Sequence, residues 1–236
     1  SFSNNLTNNN GRINYDGTLK KSSKFKFKEI DKFNKFEPEI IFHEKNIIFF
    51  DNKGAILKFN EKSKIIWKQN HYTKSEKKLK PILFFGSNKD YLLVADSISK
   101  YYALDIKSGE KIWSKTNSSP FNSQIKVYKD KFFVIDFDSK LNCFSVIDGK
   151  KLWEFKSESS FIKSQKKLSI VIADNKVFFN NSIGDITAID IDSGALMWQT
   201  PTQSNSVYED AFSLKTSDLI ADNISIYFSN NKNEFY

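Results

Sequence analysis

Ala103-Leu-Asp-Ile-Lys-Ser-Gly-Glu-Lys-Ile-Trp113 is the stretch on which the fold turns. The same phrase occurs three more times without a gap. The copies are Leu57-Lys-Phe-Asn-Glu-Lys-Ser-Lys-Ile-Ile-Trp67, Cys143-Phe-Ser-Val-Ile-Asp-Gly-Lys-Lys-Leu-Trp153 and Ala188-Ile-Asp-Ile-Asp-Ser-Gly-Ala-Leu-Met-Trp198. The tryptophans, four in the whole chain, follow one another at intervals of 46, 40 and 45 residues. A period of about 40 to 50 residues built from short β runs is the signature of a propeller blade. The expected fold class is all-β, a β-propeller of four-stranded antiparallel blades.

Outward from the phrase, each repeat shows four short apolar runs separated by turn residues. The second repeat reads Ile82 to Phe85, Tyr91 to Ala95, Tyr101 to Asp105 and Lys111 to Trp113. The third and fourth follow the same order, and the first is looser. A fifth begins at Leu219 to Ala221, continues through Ile224 to Phe228, and stops at Phe235-Tyr236. The expected blades are residues 38–70, 80–115, 122–156, 166–200 and a partial 217–236. Residues 1–10 are Asn-rich and are expected to form a flexible polar leader. Residues 11–37, with Phe25, Phe27 and Ile30, are expected to be a strand or packed connector. No helical periodicity of useful length competes. Because four and a half blades leave an open apolar face, the chain is expected to be a piece of a longer protein.

The residues of the phrase have a structural purpose. Asp105 and Asp190 precede Ser108-Gly109 and Ser193-Gly194. A carboxylate there accepts turn N–H groups, and glycine supplies the positive φ. Asp148-Gly149 makes the turn in the third copy, whereas the first copy has Asn60 and Ser63 without glycine and should turn least regularly. Trp67, Trp113, Trp153 and Trp198 are expected on the outermost strands, covering a neighbouring blade while the indole N–H finds a carbonyl. Small Ala103 and Ala188 leave room for close backbone approach.

Composition narrows the function. The chain has 236 residues, 39% hydrophobic and 15% aromatic, which is enough for a sizeable core. Cys143 is the single cysteine, so no internal disulfide exists, and it stands where two other copies carry alanine. His43 and His71 lie in different repeats without partners at metal spacing, so no metal site is expected. The net charge of +8 comes almost wholly from lysine, with Arg12 the single arginine. Base and phosphate recognition favours arginine, so a nucleic-acid partner is not expected. Lys74 to Lys80 is the densest basic patch.

The pattern Ala-x-Asp-x-x-Ser/Thr-Gly-x-x-x-Trp, intact at Ala103 to Trp113 and Ala188 to Trp198, resembles the tryptophan-docking motif of the pyrroloquinoline-quinone repeat superfamily. The resemblance implies a fragment of an eight-bladed propeller and two main branches. Quinoprotein dehydrogenases bind the quinone with Ca²⁺ and need a catalytic Asp, often with a vicinal cysteine pair. This chain has no Cys-Cys and no long insertion between strands, and Asp136, Asp138 and Asp148 sit at turn positions. The chain is most similar to the BamB branch, periplasmic lipoproteins that serve the outer-membrane β-barrel assembly machinery without cofactor or catalysis. That branch implies a non-catalytic protein-binding scaffold, associated with the outer membrane through a lipid anchor outside this chain. Its partner-docking loop aligns with Phe161, Ile162, Lys163, Ser164 and Gln165, where Ile162 keeps the apolar type and Ser164 and Gln165 depart from the family's Leu and Arg. The alternatives are a fragment of a quinone-dependent dehydrogenase and the propeller ectodomain of a sensor or adhesion protein.

Overall fold

Residues rich in Ile, Val, Phe and Tyr fold each repeat into a small antiparallel sheet, because β-branched and aromatic side chains pack well on a pleated surface. A computed structural model describes residues 6–9, 16–18, 24, 39–157, 167–181, 184–201, 217–222 and 224–229. The first sheet is β1 (Ile41–His43), β2 (Asn46–Phe50), β3 (Ile56–Phe59) and β4 (Ile65–Gln69). A short helix, α1 (Lys74–Lys78), leads to the second: β5 (Leu83–Ser87), β6 (Tyr91–Asp96), β7 (Lys100–Asp105) and β8 (Lys111–Thr116). The third is β9 (Lys126–Tyr128), β10 (Lys131–Ile135), β11 (Lys140–Ser145) and β12 (Lys151–Lys156). The fourth is β13 (Ile170–Ala173), β14 (Lys176–Asn180), β15 (Ile186–Asp190) and β16 (Leu196–Thr200). A pair, β17 (Ile220–Ala221) and β18 (Ile226–Tyr227), follows. Every strand pairs with its sequence neighbour, the meander of a propeller blade.

The chain divides into two units, Asn14–Pro120 and Ser1–Ile13 with Phe121–Tyr236. In the first unit, Phe50, Trp67, Leu83, Phe85, Leu92 and Tyr102 belong to one buried cluster between the first two sheets. Phe50 and Phe85 meet edge to face at 5.7 Å. In the second, Phe133, Cys143, Ile170, Phe179 and Ile189 join the third sheet to the fourth. Val171, Phe178, Leu219 and Phe228 join the fourth to β17 and β18. Each such side chain contributes roughly 1.5–3 kcal/mol by leaving water. The middle strands are buried on both faces, so Leu92, Leu93, Val94 and Ala95 form a continuous apolar run rather than an alternation.

Several features differ from the sequence reading. The outermost strand of the second repeat runs past the tryptophan expected to end it, β8 to Thr116, because Thr116 pairs back with Lys100. The strand expected to start at Ile224 starts at Ile226, since the Asp222 carboxylate accepts the Ile224 and Ser225 amides and holds a turn there. Helix α1 was hidden within the basic patch. Its signal is a capping box, in which Thr73 Oγ1 accepts from Glu76 N and Glu76 Oε2 accepts from Thr73 N. Leu6 to Asn9, within the segment expected to be a flexible leader, is docked instead: the Leu6 carbonyl accepts from Ile172 N and the Thr7 carbonyl from Ala221 N. Phe25, Phe27, Ile30, Phe235 and Tyr236 lie outside the described residues. Among the described residues no helix is long and apolar enough to cross a membrane.

Candidate functional site

The repeated phrase closes the turn between the third and fourth strands of each blade. Asp105 Oδ1 accepts from Lys107 N at 2.9 Å and Ser108 N at 2.7 Å. Asp190 Oδ1 accepts from Ser193 N at 2.8 Å and Ser193 Oγ at 2.7 Å. These donors hold both carboxyls below the ordinary carboxylate range. Gly109, Gly149 and Gly194 have φ of 75°, 67° and 74°, as the turn requires. In the third copy Ser145 replaces the aspartate, and its Oγ accepts from Asp148 N at 3.4 Å. In the first copy the turn is one residue shorter, closed by Asn60 N to the Lys64 carbonyl, with Ser63 at φ 60° in the glycine's place.

Two of these turns lie under a tryptophan from the preceding blade. A Cβ on Gly109 would stand 2.7 Å from Trp67 Cδ2, and one on Gly194 would stand 2.7 Å from Trp153 Cδ2. The indole rings therefore rest directly on glycine backbone. Contrary to expectation, the Nε1 groups of Trp67 and Trp153 are buried and meet no hydrogen-bond acceptor among the described residues. Docking on the glycine, rather than reach toward a carbonyl, sets the orientation of the ring. Trp113 is half-buried and meets Tyr101 edge to face, whereas Trp198 is 42% exposed. Ala103 and Ala188 are fully buried opposite Trp113 and Trp198.

A second repeat, missed in the sequence, lies at the turns between second and third strands. Asp51, Asp96, Asp136 and Asn181 occupy it, at intervals of 45, 40 and 45 residues. The matching period was the available signal. Asp51 Oδ1 accepts from Lys53 N and Ala55 N, Asp96 Oδ1 from Ile98 N and Lys100 N, and Asp136 Oδ1 from Asp138 N and Lys140 N. Asn181 Oδ1 accepts from Asp185 N. Beside the second of these turns, Tyr72 donates its hydroxyl to Asp96 Oδ2 at 2.5 Å, and the Tyr102 hydroxyl lies 3.5 Å from that of Tyr72. Lys100 Nζ sits 5.0 Å from the centre of the Tyr72 ring and donates to Glu76 Oε1 at 2.9 Å. Burial outweighs these donors and pushes the Asp96 carboxyl up to about 6, and it raises both tyrosines. Burial also pushes the Cys143 thiol up to about 12, which leaves it a packed apolar group rather than a nucleophile.

The chemistry available is that of surfaces. A β-bulge before each tryptophan lets one residue escape pairing, between Lys58/Phe59, Ala103/Leu104, Cys143/Phe144 and Ala188/Ile189 of the facing strand. The unpaired residues are Ile66, Ile112, Leu152 and Met197, exposed at 48%, 47%, 45% and 49%. An apolar side chain thus stands out at one repeat position on every outer strand, a placement suited to contact with another protein. Lys53, Lys74, Lys77, Lys78 and Lys80, with Asn52, line a recess of about 450 Å³. Among the described residues no group of three His, Cys, Asp or Glu side chains is arranged to hold a metal ion. Phe161, Ile162, Lys163, Ser164 and Gln165 lie outside the described residues.

Meander sheets, glycine turns and docked tryptophans at a period near 45 residues define a β-propeller built of PQQ-type repeats. The family model described as outer membrane protein assembly factor BamB matches residues 52–236, and the chain belongs to that family. BamB from Moraxella catarrhalis is similar in structure, with a TM-score of 0.67 and 15% identity over 84% of this chain and 59% of that one. This chain therefore spans about three-fifths of that relative's length. A quinohemoprotein alcohol dehydrogenase from Comamonas testosteroni superposes with a TM-score of 0.63 and 12% identity, over 84% of this chain and 40% of that one. The computationally designed Ika4 protein gives 0.57 and 9%, over 74% and 99%. At these identities the structural likenesses establish the fold alone. No curated protein sequence matches the chain.

Proposed function

We propose that this chain is part of a non-catalytic, protein-binding scaffold that assists assembly of β-barrel proteins into the outer membrane, a reading supported by the family's description as an outer membrane protein assembly factor. The family match over residues 52–236 carries the reading. Two features of the chain support it. Its repeated aspartates serve backbone amides of turns, the structural use of a carboxylate. Its outer strands present apolar side chains at one repeated position, as a docking surface needs. The proposed partner is the β-barrel assembly machinery, the proposed location the periplasmic side of the outer membrane, and the proposed anchor a lipid outside this chain. Residues 161–165 are the proposed partner contact, from their position between Trp153 and Trp198.

A dehydrogenase reading has the fold likeness to quinohemoprotein alcohol dehydrogenases in its favour. Fold alone does not assign chemistry, which must come from a site. Co-purification of the full-length protein from its native membrane fraction in mild detergent, with mass spectrometry of what accompanies it, separates the two readings. Recovery of barrel-assembly subunits supports the scaffold. Recovery of electron carriers, with quinone-dependent alcohol oxidation, overturns it.

A further inference from the structure

Asn8 is held at both ends of its side-chain amide. Its Nδ2 donates to the Leu219 carbonyl at 2.9 Å and Gln124 Oε1 at 3.1 Å, with Ser169 Oγ at 3.3 Å and the Ile170 carbonyl at 3.5 Å. Its Oδ1 accepts from Lys126 Nζ at 2.5 Å. These partners lie at the starts of the first strands of three successive blades, β9, β13 and β17. They are themselves preorganised: Ser169 is fully buried, and Gln124 and Lys126 are 9% and 3% exposed. Ser169 Oγ accepts from Leu219 N at 3.0 Å and donates to Gln124 Oε1 at 3.4 Å, and Gln124 Nε2 reaches Asp218 Oδ2 at 3.3 Å.

The backbone and Leu6 complete the contact. The Leu6 and Thr7 carbonyls accept from Ile172 N and Ala221 N, both at strand edges. The Leu6 side chain packs on the cluster containing Ile170 and Ile172. Asn8 adopts φ 54°, a conformation asparagine tolerates better than most residues. One apolar side chain, two carbonyls and one amide are thus read by separate groups.

We propose that the first strands of these three blades form a peptide-binding site for the pattern Leu-x-Asn, and that the chain's own Leu6-Thr7-Asn8 is its resident ligand. The site selects a primary amide. Carbonyl and amide oxygens surround Nδ2, so aspartate would bring an oxygen against the acceptors Leu219 O and Gln124 Oε1, while alanine would remove the amide donor to both and its bond from Lys126 Nζ. The inference concerns contacts within one unit and stands independently of the scaffold reading.

The test uses the full chain with a protease site inserted in residues 11–15 and cut only after folding. The freed segment is followed by native mass spectrometry, and a fluorescent peptide spanning residues 1–13 is titrated by anisotropy. The expected result is that the segment stays bound after cutting and that the labelled peptide exchanges with it saturably. Peptides carrying Asn8→Ala or Asn8→Asp should bind at least tenfold more weakly. In the uncut chain, Asn8→Ala should raise amide hydrogen exchange at Ile172 and Ala221. Immediate loss of the segment, or equal binding of the variant peptides, overturns the proposal. Unfolding on cutting also overturns it, since the segment would then be part of the fold rather than a ligand of it.

Discussion

Trp67 lies flat on Gly109 of the next blade, so close that a Cβ on that glycine would stand 2.7 Å from Cδ2 and 2.8 Å from Cε3 of the indole. The same relationship joins Trp153 to Gly194. The repeated glycine therefore has two tasks at once, a left-handed turn and a floor for a ring. Ser63 makes the left-handed turn with a side chain in the first copy, so the ring contact is what leaves no room for one at Gly109 and Gly194.

Gly109→Ala tests this directly. The left-handed backbone costs roughly 1–2 kcal/mol for a residue with Cβ, and crowding against the ring adds roughly 1–3 kcal/mol. A loss of about 2–5 kcal/mol in chemical denaturation is expected, and near-neutral behaviour would remove the account of the turn.

Trp67→Ala is expected to cost about 3–5 kcal/mol, because the ring is 7% exposed and belongs to the cluster between the first two sheets. Trp198→Ala should cost roughly 1 kcal/mol, since that ring is 42% exposed. Equal losses at the two positions would mean that burial does not set the value of the motif.

Asp96 makes stability depend on pH. Its carboxyl sits at about 6 in the fold against an ordinary 3.8, so the folded chain holds the proton more tightly than the unfolded chain. Stability from this group is therefore full below the unfolded value and falls as pH rises toward the folded one, by on the order of 3 kcal/mol. Glu76, Asp105, Glu154 and Asp190, held below their ordinary values, act in the opposite sense at lower pH. Denaturation midpoints measured from pH 4.5 to 7 should decline in the parent chain and flatten in Asp96→Asn. A parent curve that rises through this window would contradict the assignment.

Lys58 faces Trp67 across the sheet, the buried position that Ala103, Cys143 and Ala188 fill opposite the tryptophans of the other copies. It is 3% exposed, its ammonium donates to the Ile106 carbonyl at 2.8 Å, and burial lowers its pKa. Removing a charge from such a site often relieves more desolvation than it loses in bonding. Lys58→Met is expected to be neutral or to stabilise by about 1 kcal/mol, read by thermal unfolding. A loss above roughly 2 kcal/mol would show that the hydrogen bond outweighs the burial.

Lys163→Glu addresses the proposed partner contact. Association with barrel-assembly subunits should weaken at least tenfold in a pull-down while the melting temperature stays unchanged. Unchanged association, or loss of folding, would remove this segment from the proposed surface.

The blade pattern was legible because it is local and repeated. A turn aspartate, a glycine and a tryptophan at fixed spacing need no knowledge of the rest of the chain. The Asp51, Asp96, Asp136 and Asn181 series carried the same period but lacked a rare residue such as tryptophan to draw the eye. Helix α1 was legible only as Thr73-x-x-Glu76, a four-residue signal inside a run of lysines. The docking of Asn8 left no sequence signal at all, because its partners lie 116 to 211 residues away.

The sequence by itself determined the blade, its four strands, its turn glycines and its family, since strand periodicity and turn chemistry act over a few residues. Tertiary structure alone decided which surfaces those blades cover. It laid Trp67 on Gly109 with its N–H unanswered among the described residues, buried Asp96 beside Tyr72, and drew Asn8 onto the strands of three blades. Those outcomes depend on desolvation and on groups brought together from distant parts of the chain, and no local pattern encodes either.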